Sequence, residues 1–140
     1  MIDKKNIIVS TDKNRLDVKL IHDFLTQSYW AKGRTLEKVK KTIENSICFG
    51  IYLKNEQIGF ARVVTDTTIF ANLMDVFILE KYRGNGFSKI LLSEIFIHPE
   101  LKNISKWFLA TRDAHNLYKQ FDFKEITKPK RFMERLINAN

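Results

Sequence analysis

The sequence predicts an α/β domain, and three observations carry that expectation. Strand-like runs rich in β-branched and aromatic residues alternate with stretches whose apolar residues recur at spacings of three and four. A glycine-rich turn, Lys81-Tyr82-Arg83-Gly84-Asn85-Gly86-Phe87-Ser88, joins one such strand directly to one such helix. At 140 residues, 44% hydrophobic and with only two prolines, the chain can bury one core and does not have a disordered composition. One domain spanning residues 1–140 is expected.

Taken in order, Asn6 to Ser10 reads as a short first strand. From Asn14 to about Tyr29, Leu16, Leu20, Ile21, Phe24 and Leu25 form a helical stripe. Gly33 breaks it, and Thr35 is placed to cap a second helix that turns Leu36, Val39 and Ile43 inward. Ile47 to Leu53 and Ile58 to Thr65 read as a hairpin around the polar turn Lys54-Asn55-Glu56-Gln57. Thr67 to Leu79 continues the meander into the glycine-rich turn. The helix that follows carries Phe87, Ile90, Leu91 and Ile95 on its apolar face and stops before Pro99. Trp107 to Thr111 is a strand, and Ala114, Leu117, Tyr118 and Phe121 share one face of a last helix. Asp122 to Thr127 and a short piece near Arg131 to Arg135 are the last expected strands.

Composition excludes several classes of function. No run of about 18 apolar residues exists, and the amino terminus lacks a signal peptide's apolar stretch, so a cytoplasmic location without membrane contact is expected. The single Cys48 excludes an internal disulfide or a cysteine-cluster metal site, and its apolar neighbours suit a buried, inert thiol. A net charge of +8 attracts polyanions. The basic residues are scattered, however, and no nucleic-acid-binding motif accompanies them, so nucleic acid is not an expected partner.

The turn after Leu79 carries the chemistry. A strand passing through Arg83, Gly84 and Gly86 into a helix aims several backbone N–H groups and the positive end of the helix dipole at one spot. Phosphate suits such a site, and glycine allows its close approach. The spacing is not that of a nucleotide triphosphatase loop, which needs G-x-x-x-x-G-K-[ST]. Nor is it a dinucleotide fingerprint, because Lys89 stands where a third small residue is required and no acid follows at about twenty positions.

Read as R-x-x-G-x-S, residues Arg83 to Ser88 resemble the Q/R-x-x-G-x-G/A loop of the GNAT acyl-CoA N-acyltransferases. The later segment from Ala114 through Leu117-Tyr118 to Asp122-Phe123 also resembles that family, with Thr111 in place of a common Asn and Asp122 in place of Gly. Asp tolerates a left-handed helix end at a cost of up to ~1–2 kcal/mol. The resemblance covers both motifs and their order. It implies a splayed, mixed sheet of six to seven strands flanked by about four helices.

The resemblance further implies acetyl-CoA as cosubstrate, an amine acceptor and no metal. Arg83, Gly84, Asn85, Gly86, Phe87 and Ser88 would hold the pyrophosphate. Val76, Phe77 and Ile78 would pair with the pantetheine arm, and Thr111 and Asn116 would complete the coenzyme site. A backbone N–H at Phe77 or Ile78 is a candidate oxyanion donor. Tyr118 is the expected general acid. Asp75, a carboxylate in an apolar strand, is the candidate general base, with Asp113 and His115 as alternatives. Tyr29, Trp30 and Arg34 are candidate acceptor contacts, through cation–π attraction or a bond to a carboxylate. A small or amino-acid-like amine is the preferred acceptor. A protein amino group, or a non-catalytic coenzyme sensor, is the alternative. An exposed final strand is available to a homodimer.

Overall fold

The computed structural model describes residues 3–137. Nine main elements follow one another: β1 (Ile7–Ser10), α1 (Val18–Leu25), α2 (Leu36–Glu44), β2 (Ile47–Leu53), β3 (Glu56–Thr65), β4 (Phe70–Ile78), α3 (Phe87–Ile97), β5 (Lys106–Phe108) and α4 (His115–Lys119). Both early helices are capped from the side chain. Asp17 accepts from Leu20 N and Thr35 accepts from Lys38 N, each satisfying an amide with no partner inside the helix. The β2–β3 turn places Lys54 and Asn55 at φ 50° and 69°. Two consecutive left-handed residues match the twist of the flanking strands, so the loop is two residues long.

The five strands lie in sequence order, with β1 to β4 antiparallel and β5 parallel to β4. One core forms on the face covered by α3, where Phe49, Ile51, Val63, Phe87, Leu91 and Ile95 meet. A second core under α1 and α2 gathers Ile21, Leu25, Val39, Ile43, Phe60 and Phe77. The helices therefore flank both faces, and no described helix is long and apolar enough to cross a membrane.

Two irregularities in β4 position the site. Phe60 faces Phe77 and Arg62 faces Met74, so Asp75 and Val76 together oppose Ala61 alone. This bulge puts Asp75 at φ 54°, a left-handed conformation that L-residues rarely adopt inside a strand. Pairing with β5 then ends early, covering only Phe70, Ala71 and Asn72. Beyond Asn72 the two chains diverge and a cleft opens between them.

The last two expected strands are absent among the described residues, so the sheet has five strands rather than six or seven. Asp122 takes φ 67° and turns the chain off the end of α4. Pro129, which has no N–H, opens a 3₁₀ turn through Arg131. The stretch 132–137 leaves Met133, Leu136 and Ile137 largely exposed.

Close approach of backbone at Gly59 holds β3 against β4. A Cβ there would stand 2.6 Å from the Phe77 carbonyl oxygen and 2.7 Å from Ile78 Cδ1. Neither strand can yield without breaking the ladder beside the bulge. Gly59→Ala is expected to destabilise the fold by ~1–3 kcal/mol, read as a lowered denaturant midpoint.

Candidate active site

The cleft opened by the parting of β4 and β5 has a volume of about 630 Å³. One wall is Asn72 to Val76 of β4, and the opposite wall is Leu109 to Ala114 with Tyr118. The loop between α1 and α2 closes one side with Tyr29, Trp30 and Arg34. Residues far apart in the sequence thus meet where the sheet splays.

The glycine-rich turn follows the end of β4, beyond the residues that line the cleft. Gly84 and Gly86 take φ 79° and 81°, and Gly86 stands immediately before the first residue of α3. No side chain caps this helix. The amides of Gly86, Phe87, Ser88 and Lys89 meet no protein acceptor among the described residues. Four converging donors at the positive end of an eleven-residue helix fit a phosphate. Asn85 contributes shape, since its amide nitrogen donates to the carbonyls of Tyr82 (2.9 Å) and Arg83 (3.1 Å). Phe87 turns its ring into the core and offers only its backbone. Arg83 gives Nε to the Ile78 carbonyl at 2.9 Å, tying the turn to the end of β4. Lys4 enters from the amino terminus, its Nζ standing 3.2 Å from where a Cβ on Gly86 would lie. Nothing in the local sequence around Lys4 signals that position.

Along β4, backbone groups alternate in direction. Leu79 N–H donates to Ile58 on β3 at 2.8 Å, so Phe77 N–H, two residues earlier, points to β3 as well. Ile78 N–H therefore points the other way, toward the open edge, while Val76 lies within the bulge. Of the three strand residues expected to meet the coenzyme, Phe77 is directed away by the pleat.

Asp75 is held by three donors. Trp30 Nε1 reaches Oδ1 at 2.9 Å, while Arg34 Nη1 and Arg62 Nε reach Oδ2 at 3.0 and 2.8 Å. Side-chain exposure is 1% for Asp75, 10% for Arg34 and 8% for Arg62. Arg62 is further fixed by Nη1 to Ser46 Oγ at 3.1 Å. This is the geometry of a buried ion cluster. A base must accept a new proton from substrate, whereas both oxygens here already serve charged or aromatic donors.

The remaining expected residues fall into place unevenly. Tyr29 stacks under the Arg112 guanidinium at 3.8 Å and accepts from Arg112 N at 3.2 Å, bridging the cleft's two sides. Trp30 packs edge-on to Tyr29. Thr111 Oγ1 accepts from Ala114 N at 3.1 Å and lines the cleft. Asn116 lies on the exposed side of α4, outside the cleft's lining. Asp113 lines the cleft but is largely solvated, and His115 does not line it.

Tyr118 faces the cleft while being only 8% exposed, and its hydroxyl has no hydrogen-bond partner among the described residues. Burial, reinforced by Tyr29 and Asp113 nearby, pushes the phenol up to about 12. At neutral pH it keeps its proton by a wide margin.

Residues 44–125 match the acetyltransferase (GNAT) domain family, and the chain belongs to that family. A Gibberella zeae protein classed as an acetyltransferase is 30% identical over 135 residues, covering 79% of this chain and 75% of its own. The ribosomal protein bS18-alanine N-acetyltransferase of Haemophilus influenzae is 32% identical over 77 residues, 51% of each chain. A solved structure from Xanthomonas campestris, assigned to the same family, superposes with a TM-score of 0.92 at 42% identity, over 95% of this chain and 94% of that one.

Two outcomes follow from the buried groups. Asp75→Ala strands two guanidiniums without a counter-ion and is expected to destabilise the fold by ~3–5 kcal/mol, measured by denaturant unfolding. For Tyr118, the unfolded chain releases the phenol proton near pH 10 while the folded chain holds it to about 12. The unfolded state then binds fewer protons, so stability falls as pH rises across that window. Tyr118→Phe should remove ~2–3 kcal/mol of that alkaline loss, seen by comparing unfolding midpoints of the two proteins from pH 9 upward. Tyr52, also raised by burial, leaves a residual slope in both.

Proposed function

We propose that the protein transfers an acetyl group from acetyl-CoA to the primary amine of a small or amino-acid-like acceptor, by direct attack within the cleft. The observation that carries this reading is a buried Tyr118 hydroxyl that keeps its proton and faces a cleft walled by β4, the strand that leads into the uncapped start of α3.

The donor supplies an activated thioester. The amides of Gly86 to Lys89 hold its pyrophosphate, with Arg83 and Lys4 adding positive charge nearby. Ile78 offers its backbone N–H on the open edge of β4, with Val76 nearby in the bulge, and the pantetheine arm pairs there as an added strand would. A backbone N–H of this stretch also serves as oxyanion donor when the carbonyl carbon becomes tetrahedral. Attack forms the C–N bond and breaks the C–S bond. Tyr118 donates its proton to the departing sulfur, and the positively charged nitrogen formed by the attack returns a proton to the Tyr118 phenolate, so the step balances. Burial that lifts the phenol to about 12 also raises a buried thiol, as Cys48 at about 11 illustrates within the same chain.

Asp75 serves in this reading as the anchor of the acceptor wall rather than as the base. It holds Trp30 and Arg34 in place, and the acceptor enters as the neutral amine. Two guanidiniums against one carboxylate leave a positive wall, which disfavours the ammonium form. The donor-free alternatives differ in readout: a non-catalytic sensor would bind the coenzyme and release no thiol. Acetylation of a protein α-amine is a second reading, favoured by the likeness to the bS18-alanine N-acetyltransferase. The exposed apolar stretch 132–137 supports a homodimer through that segment, checked by sedimentation.

Thermal shift with acetyl-CoA, followed by thiol release across small amines and an alanine-initiated peptide, tests the reading. Stabilisation with thiol release from a small amine is expected. Tyr118→Phe should lower turnover ~10²–10⁴-fold while leaving coenzyme affinity near the parent value. Unchanged turnover would remove Tyr118 from the chemistry.

A further inference from the structure

Behind the cleft's Arg34 wall lies a second, separate groove of about 400 Å³. Four cations line it: Arg34, Lys38, Lys41 and Arg62. The hydroxyl residues Thr42 and Ser46 stand between them, and none of the described lining residues is acidic. Lys38, Lys41 and Thr42 share one face of α2 at spacings of three and four, and Arg62 rises from β3 beneath them. Arg34 lines both this groove and the cleft, so the two spaces meet at one guanidinium.

The charge balance of the buried cluster gives the groove its chemistry. Arg34 and Arg62 are nine-tenths buried or nearly so, yet they share the single carboxylate of Asp75. Buried charges are stable when paired, and this cluster carries one positive charge more than its acid neutralises. The excess faces a groove whose rim adds two lysines. An oxyanion entering there meets donors of the right sign and completes the pairing.

We infer that this groove is an oxyanion site, binding a carboxylate or phosphate group against Arg34, Arg62, Lys38 and Lys41. Two sources carry that chemistry: the anionic group of an acceptor whose amine reaches the cleft past Arg34, or a free oxyanion. The site stands on the charge balance alone. Its use by an acceptor rests on the transfer reading above.

Calorimetric titration of inorganic phosphate tests the site. The protein is saturated with coenzyme A, so that the glycine-rich turn does not contribute, and is also titrated without it. Wild type is compared with Lys38→Glu/Lys41→Glu and with the milder Lys38→Gln/Lys41→Gln. Both lysines lie on an exposed helix face, and unchanged thermal unfolding confirms that the variants fold. A loss of phosphate affinity of roughly tenfold or more in the Glu pair, with the Gln pair between, is expected. Equal phosphate binding by all three proteins would overturn the site. Failure of coenzyme A to bind would sink the transfer reading while leaving the lysine-dependent phosphate signal intact.

An amine panel then separates the sources. If the acceptor supplies the anion, the Glu pair lowers the kcat/KM ratio of carboxylated or phosphorylated amines over neutral amines by about tenfold. A lysine-dependent phosphate signal with an unchanged ratio assigns the groove to a free oxyanion.

Discussion

The geometry of the cleft depends on one carboxylate, that of Asp75, gripped by Arg34, Arg62 and Trp30. A left-handed Asp inside a strand costs about 1–2 kcal/mol in backbone strain. The residue persists there because its side chain is tied to β3 through Arg62 and to the α1–α2 loop through Arg34 and Trp30. Held so, Asp75 keeps two β4 residues opposite one β3 residue, and the strand bends. The bend accompanies the early end of the β4–β5 ladder. A regular ladder through Ile78 would leave no free N–H at Ile78, and no cleft.

Two unlike surroundings flank β4 after that bend. The glycine-rich turn is solvated, polar and built from backbone, so it recognises charge without regard to what the rest of a ligand carries. Tyr118 is buried on the cleft's opposite wall. Desolvation there keeps the phenol protonated, the same effect that makes Cys48 a poor thiolate on the far side of the sheet. The turn and Tyr118 thus lie in different dielectric surroundings. The loop carrying Tyr29 and Trp30 spans the two walls, with Arg112 stacked on Tyr29 from the β5 side and Asp75 bonded to Trp30 from the β4 side.

Local chemistry was legible in the sequence, and long-range pairing was not. The glycine-rich turn could be read because its determinants are contiguous: a strand, two glycines that take positive φ, and a helix start. The left-handed turn at Asp122 was legible for the same reason. Asp75 stood out as a carboxylate among apolar residues, but its partners come from positions 30, 34 and 62, and no spacing rule links them. Hence a buried ion cluster read as a free base. Lys4 and Arg112 escaped for the same reason, one lying some eighty residues from Gly86 and the other eighty-three from Tyr29. The last strands were overread. Apolar residues recur between 122 and 137 without strict alternation, a strand needs an edge to pair with, and Pro129 and the Asp122 turn direct the chain off β5.

The overall charge of +8 gains meaning from where the cations gather rather than from their number. Lys4 and Arg83 stand at the glycine-rich turn, and Arg34, Arg62, Lys38 and Lys41 line the second groove. Such a distribution draws anionic ligands toward the open edge of the sheet from a distance. It also makes the acid content of the interior critical. Asp75 is the single buried acid among the described residues, and Arg62 is the buried cation paired with it. One further acid beside Arg34 would neutralise the wall, leave the ammonium form of an amine undisturbed, and close the groove to oxyanions. The two-to-one ratio of guanidinium to carboxylate therefore ties the bend of β4 to the charge of the wall beside it.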